Sequence, residues 1–209
     1  MTLATKPPYE IPNYFWHDSH QIVAFWHQVK EIIKCNPENI LEIGPGYFNF
    51  TARELRHTGY HVTTMDIDPT INPDVVGDIR NPPFHDKSFD VVVAFETLEH
   101  IPYEDFVPAL RELGRVSKKH IIISLPDNMF RCQIKIRVPK FDLEKLIPVP
   151  WLNRRGLAEG SSHYWEVNMH GHGLDKVLSD FKKAGLTLEY TFLPFEYYRR
   201  RFFKLKVLE

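Results

Sequence analysis

A short apolar segment followed by two closely spaced glycines constrains this chain more than any other feature. Residues 39–46, NILEIGPG, predict a strand that turns through Gly44 and Gly46 into a helix over about 47–57. Glycine is needed in such a turn where φ is positive or where a ligand approaches the backbone closely. Asp66 follows Gly46 by 20 residues and ends the next predicted strand, a place where a carboxylate commonly binds ribose hydroxyls. The pattern predicts a nucleoside-containing cofactor, with a ligand-free tight turn as the alternative.

The order of the predicted elements gives the fold class. Strands and helices alternate with short connections, which favours a parallel sheet covered by helices on both faces. The last two strands have no helix between them, which predicts an antiparallel C-terminal hairpin. We therefore expect an α/β fold with a doubly wound, mainly parallel seven-stranded sheet (Rossmann-like), in which this hairpin supplies an antiparallel strand. The predicted strands are 39–43, 61–67, 75–76, 89–95, 120–125, 187–193 and 202–208, and the predicted helices are 18–34, 47–57, 105–113 and 173–185.

Composition narrows the class of protein. The 209 residues are 43% hydrophobic and 25% charged, which predicts a single domain over 1–209 with a sizeable core. Their formal net charge of −1 argues against a broad nucleic-acid surface. No signal-peptide core and no apolar run of membrane-spanning length is evident. The two cysteines, Cys35 and Cys132, are too few and too far apart for a disulfide framework. A cytoplasmic protein is expected.

The first 34 residues form a separate feature of this domain. Residues 1–17 are rich in proline and aromatic residues and predict an irregular arm. Residues 18–34 have apolar residues at helical spacing, with Asp18 and Gln21 as an N-cap pair. The arm and helix would either cover the cofactor or meet another subunit, so a homodimer is one option.

Two further acids distinguish between cofactors. Glu42 lies on the strand just before the glycines, where a carboxylate would repel a pyrophosphate but suits the ammonium of an amino-acid-bearing cofactor. Asp78 opens the loop after the third strand, where it could hold an adenine amino group. Both acids favour a methyl donor over a nicotinamide dinucleotide.

The motifs resemble those of the class I S-adenosylmethionine-dependent methyltransferases. The resemblance rests on ILEIGPG, VTTMDID and GDIRNPPFHDKSFDVVVAFETLEHI and covers roughly 39–125 closely. It implies S-adenosyl-L-methionine as the cofactor. One departure is Phe48, which stands where the family often has a third glycine. The implied cofactor-binding residues are Glu42, Gly44 and Gly46 at the methionine end, Asp66 at the ribose hydroxyls, Ile67, Asp78 and the backbone of Ile79 around the adenine, and Glu96 near the methionine moiety.

The quartet Asn81-Pro82-Pro83-Phe84 has two interpretations. It could clamp a planar amine such as adenine, or it could be a stiff turn before a buried strand. In amino-methyltransferases acting on adenine or glutamine, a similar quartet follows the fourth strand, whereas here it precedes that strand. We therefore interpret it as a turn in which two prolines fix φ and Phe84 packs over the adenine pocket or the core.

The acceptor is expected in an insertion between the fifth strand and the penultimate helix. Loops at the carboxyl ends of strands surround the ligand crevice in such sheets, so 126–172 is predicted to form a substrate lid. Basic residues alternate with apolar ones from Arg131 onward and would form a cationic wall together with Arg154; an exposed edge strand is the alternative. Tyr164 and Trp165 could stack on a ring-shaped acceptor.

Two histidines are candidates for a catalytic base. His163 lies in the insertion beside Glu166, which could orient its imidazole, and His100 follows the fourth strand. His163 is preferred, and a reaction without a base is the alternative. No metal is expected, because His170 and His172 have no thiolate or carboxylate partner at convincing ligand spacing.

The sequence thus predicts an enzyme that transfers a methyl group from S-adenosyl-L-methionine to a small-molecule acceptor. The acceptor would be small or glycosylated, with an anionic group as one option. A non-catalytic S-adenosylmethionine-binding regulatory module and a nicotinamide-dependent oxidoreductase remain as alternatives.

Overall fold

The protein is built from alternating helices and strands. In the computed structural model, which describes residues 19–152, 156–157 and 160–207, the α-helices are α1 (Ser19–Ile33), α2 (Phe50–His57), α3 (Phe106–Val116) and α4 (Leu174–Lys183). The strands are β1 (Asn39–Ile43), β2 (His61–Asp66), β3 (Val75–Val76), β4 (Phe89–Phe95), β5 (Ser117–Pro126), β6 (Arg131–Val138), β7 (Phe141–Pro148), β8 (Leu186–Phe192) and β9 (Arg200–Val207). The predicted arm over 1–17, the Asp18 cap and Arg154 lie outside the described residues. Within those residues, no helix is long and apolar enough to span a membrane.

Seven of these strands form one sheet in the order β3-β2-β1-β4-β5-β9-β8. β1 pairs in parallel with β2 and β4, and β4 pairs in parallel with β5. β9 runs antiparallel to both of its neighbours, β5 and β8. The predicted fold class is confirmed, and the C-terminal hairpin places its reversed strand one position in from the edge of the sheet.

The two faces of the sheet bury separate hydrophobic clusters. In β4, all seven residues are buried, as expected for a central parallel strand with helices on both sides. Val92 and Ala94 pack into the cluster that includes α3 and α4 residues. Val91 and Val93 pack into the cluster that includes Ile32 of α1 and residues of α2. The alternation follows from the two-residue period of a strand, so helices cover both faces.

The predicted lid contains a two-stranded sheet of its own. β6 and β7 pair antiparallel from Arg131↔Pro148 to Val138↔Phe141. The alternation from Arg131 onward predicted β6, whereas β7 was not predicted from the sequence. Two of the basic side chains of β6 form ion pairs across this hairpin, Lys135 with Glu144 and Arg137 with Asp142. These cations are therefore paired with carboxylates of the same hairpin.

Asp127 fixes the start of the insertion to the main sheet. Its side chain is fully buried, and its carboxylate accepts from both Nη atoms of Arg131 at 3.1 Å and from Nε of Arg201 in β9 at 2.7 Å. Asn168, near the far end of the insertion, donates to the same carboxylate at 3.0 Å. Burial alone would raise the pKa of Asp127, but the Arg131 and Arg201 guanidinium groups together hold it below its usual range. One charge thus joins β5, β9 and both ends of the insertion.

We expect Asp127→Asn to lower the free energy of unfolding by about 3–5 kcal/mol, because it leaves two largely buried guanidinium groups without their anion. Urea unfolding followed by circular dichroism measures the change. Asp142→Asn is the matched control, since the Arg137–Asp142 pair is exposed and should contribute about 0–1 kcal/mol. Equal losses in the two variants would show that Asp127 has no special structural role.

Candidate active site

The parallel strands end side by side, and this brings the predicted site residues to one edge of the sheet. Ile43 of β1 is paired with Met65 of β2 on one side and Ala94 of β4 on the other. The residues that follow these positions, Gly44 and Asp66 among them, therefore emerge next to one another. This is the edge at which ligands bind in open α/β sheets.

The turn after β1 needs glycine for two different reasons. Gly44 and Gly46 have φ values of 71° and 65°, in the region that disfavours residues with a Cβ. A Cβ on Gly44 would also lie 2.7 Å from Cγ2 of Thr97, whereas a Cβ on Gly46 would meet nothing within 4 Å. The Thr97 hydroxyl lies 3.3 Å from the carbonyl oxygen of Ile43, to which it donates. Gly44 thus permits close contact between the ends of β1 and β4.

A pocket of about 300 Å³ opens at this edge. Its walls come from the ends of β1 and β2, the loop after β3, the loop after β4 and the insertion. Five of the predicted cofactor-binding residues therefore lie together with His100 and Tyr164. The lining residues are Ile43, Gly44, Asp66, Ile67, Gly77, Asp78, Ile79, Arg80, Thr97, His100, Ile101, Pro102 and Tyr164.

The two pocket carboxylates differ in what they already bind. Asp66 accepts from the backbone N–H of Asp68 at 2.9 Å. Asp78 accepts from the backbone N–H, Nε and Nη2 of Arg80, and Nη1 of Arg80 donates to Asp105. The Arg80 guanidinium holds the pKa of Asp78 below its usual range. Sequence reasoning missed Arg80, and an adenine amino group would have to share the Asp78 oxygens with it.

The other two predicted cofactor acids lie away from the pocket lining. Glu42 is 4% exposed, one of its carboxylate oxygens has no hydrogen-bond partner in residues 19–152, 156–157 and 160–207, and burial raises its pKa to about 7. Glu96 directly follows β4 and has a φ of 51°. It accepts from Oγ of Ser124 at 2.9 Å and lies 3.3 Å from Nε of Arg200. Glu42 is therefore a buried acid with unused acceptor capacity, whereas Glu96 is already bound within the sheet.

The insertion packs onto the loop after β4 through three hydrogen bonds. The Ser162 carbonyl lies 3.2 Å from Nδ1 of His100, the Tyr164 N–H donates to the Glu99 carbonyl at 2.8 Å, and Nε1 of Trp165 donates to the Ile101 carbonyl at 3.2 Å. This contact carries His163 next to His100, with ring centroids 4.9 Å apart. Both predicted catalytic histidines thus belong to one cluster.

The cluster also contains a carboxyl group that the sequence did not single out. Glu99 is fully buried, and within the described part of the chain neither of its carboxylate oxygens has a hydrogen-bond partner. Burial and the nearby charge of Glu96 raise the pKa of Glu99 well above its usual range. Nδ1 of His163 lies 3.0 Å from Oε1 of Glu166, so Glu166 orients this imidazole as expected.

Two of the predicted acceptor-binding residues are wrong. Trp165 is fully buried in the core beside Tyr103 and Phe106, so it cannot stack on an acceptor. Arg131 is 7% exposed and its guanidinium is bound to Asp127, so it offers no free charge to an anion. Tyr164 is 59% exposed and lines the pocket, so its acceptor role stays a prediction.

The Asn81-Pro82-Pro83-Phe84 quartet forms a turn that lies outside the pocket lining and is stabilised by contacts with α3 and β4. The Asn81 N–H donates to the Asp78 carbonyl at 3.0 Å. Arg115 of α3 donates to the carbonyl oxygens of Pro82 and Phe84, and the Phe84 ring contacts Phe89 edge-on. None of the four residues lines the described pocket, and Phe84 packs on the core.

Comparisons with known proteins agree with this geometry. Residues 41–124 match the family model described as a methyltransferase domain. A search of curated protein sequences gives no significant match. Among solved structures, an S-adenosylmethionine-dependent methyltransferase from Clostridium acetobutylicum is 10% identical, with a TM-score of 0.60 over 94% of this chain and 99% of that one. Magnesium protoporphyrin IX methyltransferase from Synechocystis, solved with bound SAH, is 14% identical, with a TM-score of 0.60 over 88% and 82%.

A third similar structure is the glycopeptide N-methyltransferase MtfA complexed with S-adenosylmethionine. It is 10% identical, with a TM-score of 0.58 over 87% of this chain and 93% of that one. At such identities the likeness is one of fold. Residues 41–124 thus match a methyltransferase domain, and the chain as a whole shares its fold with S-adenosylmethionine-dependent methyltransferases, in agreement with the resemblance found in the sequence.

We expect Gly44→Ala to destabilise the protein more than Gly46→Ala. Each variant forces a Cβ into a positive-φ conformation, at about 1–2 kcal/mol, but only Gly44→Ala also meets Thr97, which adds roughly 1–3 kcal/mol of overpacking. Urea unfolding of both variants tests the difference. If Thr97→Ala, combined with Gly44→Ala, does not recover the extra loss, the close contact is not its cause.

Proposed function

We propose that the protein transfers a methyl group from S-adenosyl-L-methionine to a small acceptor bound between the pocket and the insertion. The observation that carries the proposal is the single pocket in which Gly44, Asp66 and Asp78 face His100 and Tyr164. The first three residues come from the turns that bind nucleoside cofactors in this fold. The last two come from the loop after β4 and the insertion, where an acceptor would enter.

The residues on the cofactor side fit S-adenosyl-L-methionine. Asp66 has acceptor capacity for ribose hydroxyls, and Ile67 and Ile79 offer apolar surface for an adenine. The unpartnered oxygen of Glu42 is a buried acceptor on the strand leading into Gly44, and a cationic ammonium is the group that such an oxygen would bind. A dinucleotide pyrophosphate would bring negative charge to the same turn. The donor set therefore favours the methyl donor over a nicotinamide cofactor.

The chemistry requires the chain mainly to position two reactants. The bound cofactor would supply an activated methyl group on its sulfonium. Transfer is an in-line displacement, which a site accelerates by fixing distance and angle. Tyr164 is exposed at the mouth of the pocket, where its ring would contact the acceptor. The His100–His163 pair would hold the acceptor's nucleophilic atom, with Glu166 fixing the orientation of His163.

The class of acceptor is narrowed by the charges of the insertion. The cationic wall predicted from the sequence favoured an anionic acceptor. In the structure, its described cations, Arg131, Lys135 and Arg137, each pair with a carboxylate, so they offer no free positive charge to an acceptor. We propose a small, uncharged acceptor that presents a hydroxyl or amine to the histidine pair. A glycosylated acceptor satisfies the same requirement.

The decisive test of the function is transfer of label. The purified protein is incubated with methyl-labelled S-adenosyl-L-methionine and a metabolite extract, and labelled products are separated by mass spectrometry. Appearance of a labelled metabolite supports an enzyme. Binding of S-adenosylhomocysteine without any transfer would instead support a non-catalytic cofactor-binding module. Calorimetry with S-adenosylhomocysteine and with NAD in parallel tests the oxidoreductase alternative. Tight binding of NAD, without binding of S-adenosylhomocysteine, would overturn the proposal.

We expect Asp66→Ala to weaken S-adenosylhomocysteine binding by about 1–3 kcal/mol, because ribose hydroxyls would lose their acceptor. Isothermal titration calorimetry measures the affinity. Asn81→Ala is the matched control, since Asn81 lies close to Asp78 in the chain but outside the pocket lining. The affinity of this variant for S-adenosylhomocysteine should stay close to that of wild type. If both variants bind equally well, Asp66 is only a strand-end residue.

We expect His163→Ala to lower turnover by ~100-fold or more while S-adenosylhomocysteine affinity is unchanged, because the histidine acts on the acceptor side. His170→Ala is the control, since His170 is exposed in the same insertion and should retain wild-type turnover. Normal turnover of His163→Ala together with a loss in His100→Ala would assign the role to His100 instead.

A further inference from the structure

A fully buried carboxyl group without a partner lies beside two imidazoles at the acceptor end of the pocket. Glu99 has no exposed surface, and both of its carboxylate oxygens lack a hydrogen-bond partner among the residues that the structure describes. Buried polar groups are nearly always satisfied, and leaving one unsatisfied costs stability. The insertion brings His163 beside Glu99 and His100, yet no donor among the described residues reaches the Glu99 carboxylate oxygens. A buried carboxyl group of this kind would be stabilised by a ligand from outside the polypeptide.

The hydrogen bonds of the two histidines leave one nitrogen of each ring available to such a ligand. Nδ1 of His100 faces the Ser162 carbonyl at 3.2 Å, and because a carbonyl can only accept, this nitrogen carries the proton. Nδ1 of His163 likewise faces the Glu166 carboxylate at 3.0 Å. The lone pair of each neutral imidazole is then on Nε2. Metal-binding histidines are oriented in this way, by donating their other N–H to a carbonyl or carboxylate.

The orienting group is itself held in place. Oε2 of Glu166 accepts from Nδ2 of Asn128 at 2.9 Å, and Asn128 is 6% exposed. Asn128 follows Asp127 directly, so the support for His163 is built into the junction between β5 and the insertion. The imidazole of His163 is therefore fixed by two successive hydrogen bonds, both partly buried.

We propose that Glu99, His100 and His163 bind a divalent transition-metal cation of the zinc type. One ligand atom from each residue lies within 4.8 Å of the other two. Ligand atoms at about 2.0–2.2 Å from a zinc ion lie roughly 3–4 Å from one another. Side-chain rotations that move these ligand atoms by roughly 1 Å would therefore complete the site. His100 also lines the pocket, which gives a cation a path from solvent.

The donor set selects the class of metal. Two imidazole nitrogens and one carboxylate suit Zn²⁺ and neighbouring first-row cations, whereas Mg²⁺ and Ca²⁺ prefer oxygen ligands alone. Three protein ligands leave coordination positions open, as in catalytic zinc sites. The proposal departs from the sequence-based expectation of no metal, which considered His170 and His172. His100 and His163 are 63 positions apart in the chain, so ligand spacing could not reveal them.

A metal in this site would also have a role in the proposed methyl transfer, and this role rests on the proposed function. A cation held by Glu99, His100 and His163 would face the pocket and bind an oxygen of the acceptor. The two histidines would then act as ligands, and His163 would not serve as the base expected from the sequence. Metal binding itself does not require methyl transfer, so the two proposals can fail separately.

The test begins with chelator-treated full-length protein titrated with ZnCl₂ by calorimetry in the absence of any cofactor. We expect one equivalent to bind, with affinity about 100-fold weaker or worse in Glu99→Gln and His163→Ala. His170→Ala is the control and should bind as wild type does. No binding, or equal binding by wild type and Glu99→Gln, would overturn the proposal, the latter because the cation would lie elsewhere.

Thermal unfolding guards against variants that simply fail to fold. In metal-free protein, Glu99→Gln should unfold at or above the wild-type temperature, since an unpartnered acid is replaced by a neutral amide. ZnCl₂ should raise the unfolding temperature of wild type and leave that of Glu99→Gln unchanged. An equal rise in both would contradict the site. If zinc binds as expected but no labelled acceptor is found, the metal site stands and the proposed function fails.

Discussion

The buried carboxylate of Asp127 is the interaction on which the arrangement of the acceptor side depends. It binds Arg201 in β9, Arg131 at the start of β6 and Asn168 near the end of the insertion. A single anion can hold these segments together because guanidinium and amide donors approach it from different directions in a dry environment, where such bonds are strong. This anchor fixes the two ends of the insertion, and the contacts of Ser162, Tyr164 and Trp165 then hold His163 against the loop after β4.

The site combines groups that the fold has paired with groups that it has left without partners. Asp78 is bound by Arg80, and Glu96 by Ser124 and Arg200, so both acids already have partners within the protein. Glu42 and Glu99 are buried with unused oxygens, at a cost in stability that ligand binding would offset. The two unpartnered acids are well separated in role. Glu42 lies in β1 two residues before Gly44, and Glu99 lies with the two histidines.

Errors in predicting the acceptor site have a common origin. Trp165 and Arg131 were assigned to the acceptor because an aromatic and a cation in an insertion are typical of exposed recognition residues. In the structure, Trp165 fills the core between the insertion and α3, and Arg131 neutralises Asp127. Exposure is a property of packing between segments distant in sequence, so local pattern cannot decide it. For the same reason Arg80 and Glu99 were not singled out.

The sequence by itself determined the sheet and the fact that the cofactor pocket lies at the carboxyl ends of its parallel strands. Apolar runs of strand length, the glycines at 44 and 46 and the acid at 66 are local signals, because strand period, φ and chain spacing act over a few residues. The tertiary structure alone decided how the insertion lies on the loop after β4. That contact places His163 beside Glu99 and His100, and it depends on buried ion pairs and core packing between residues far apart in the chain.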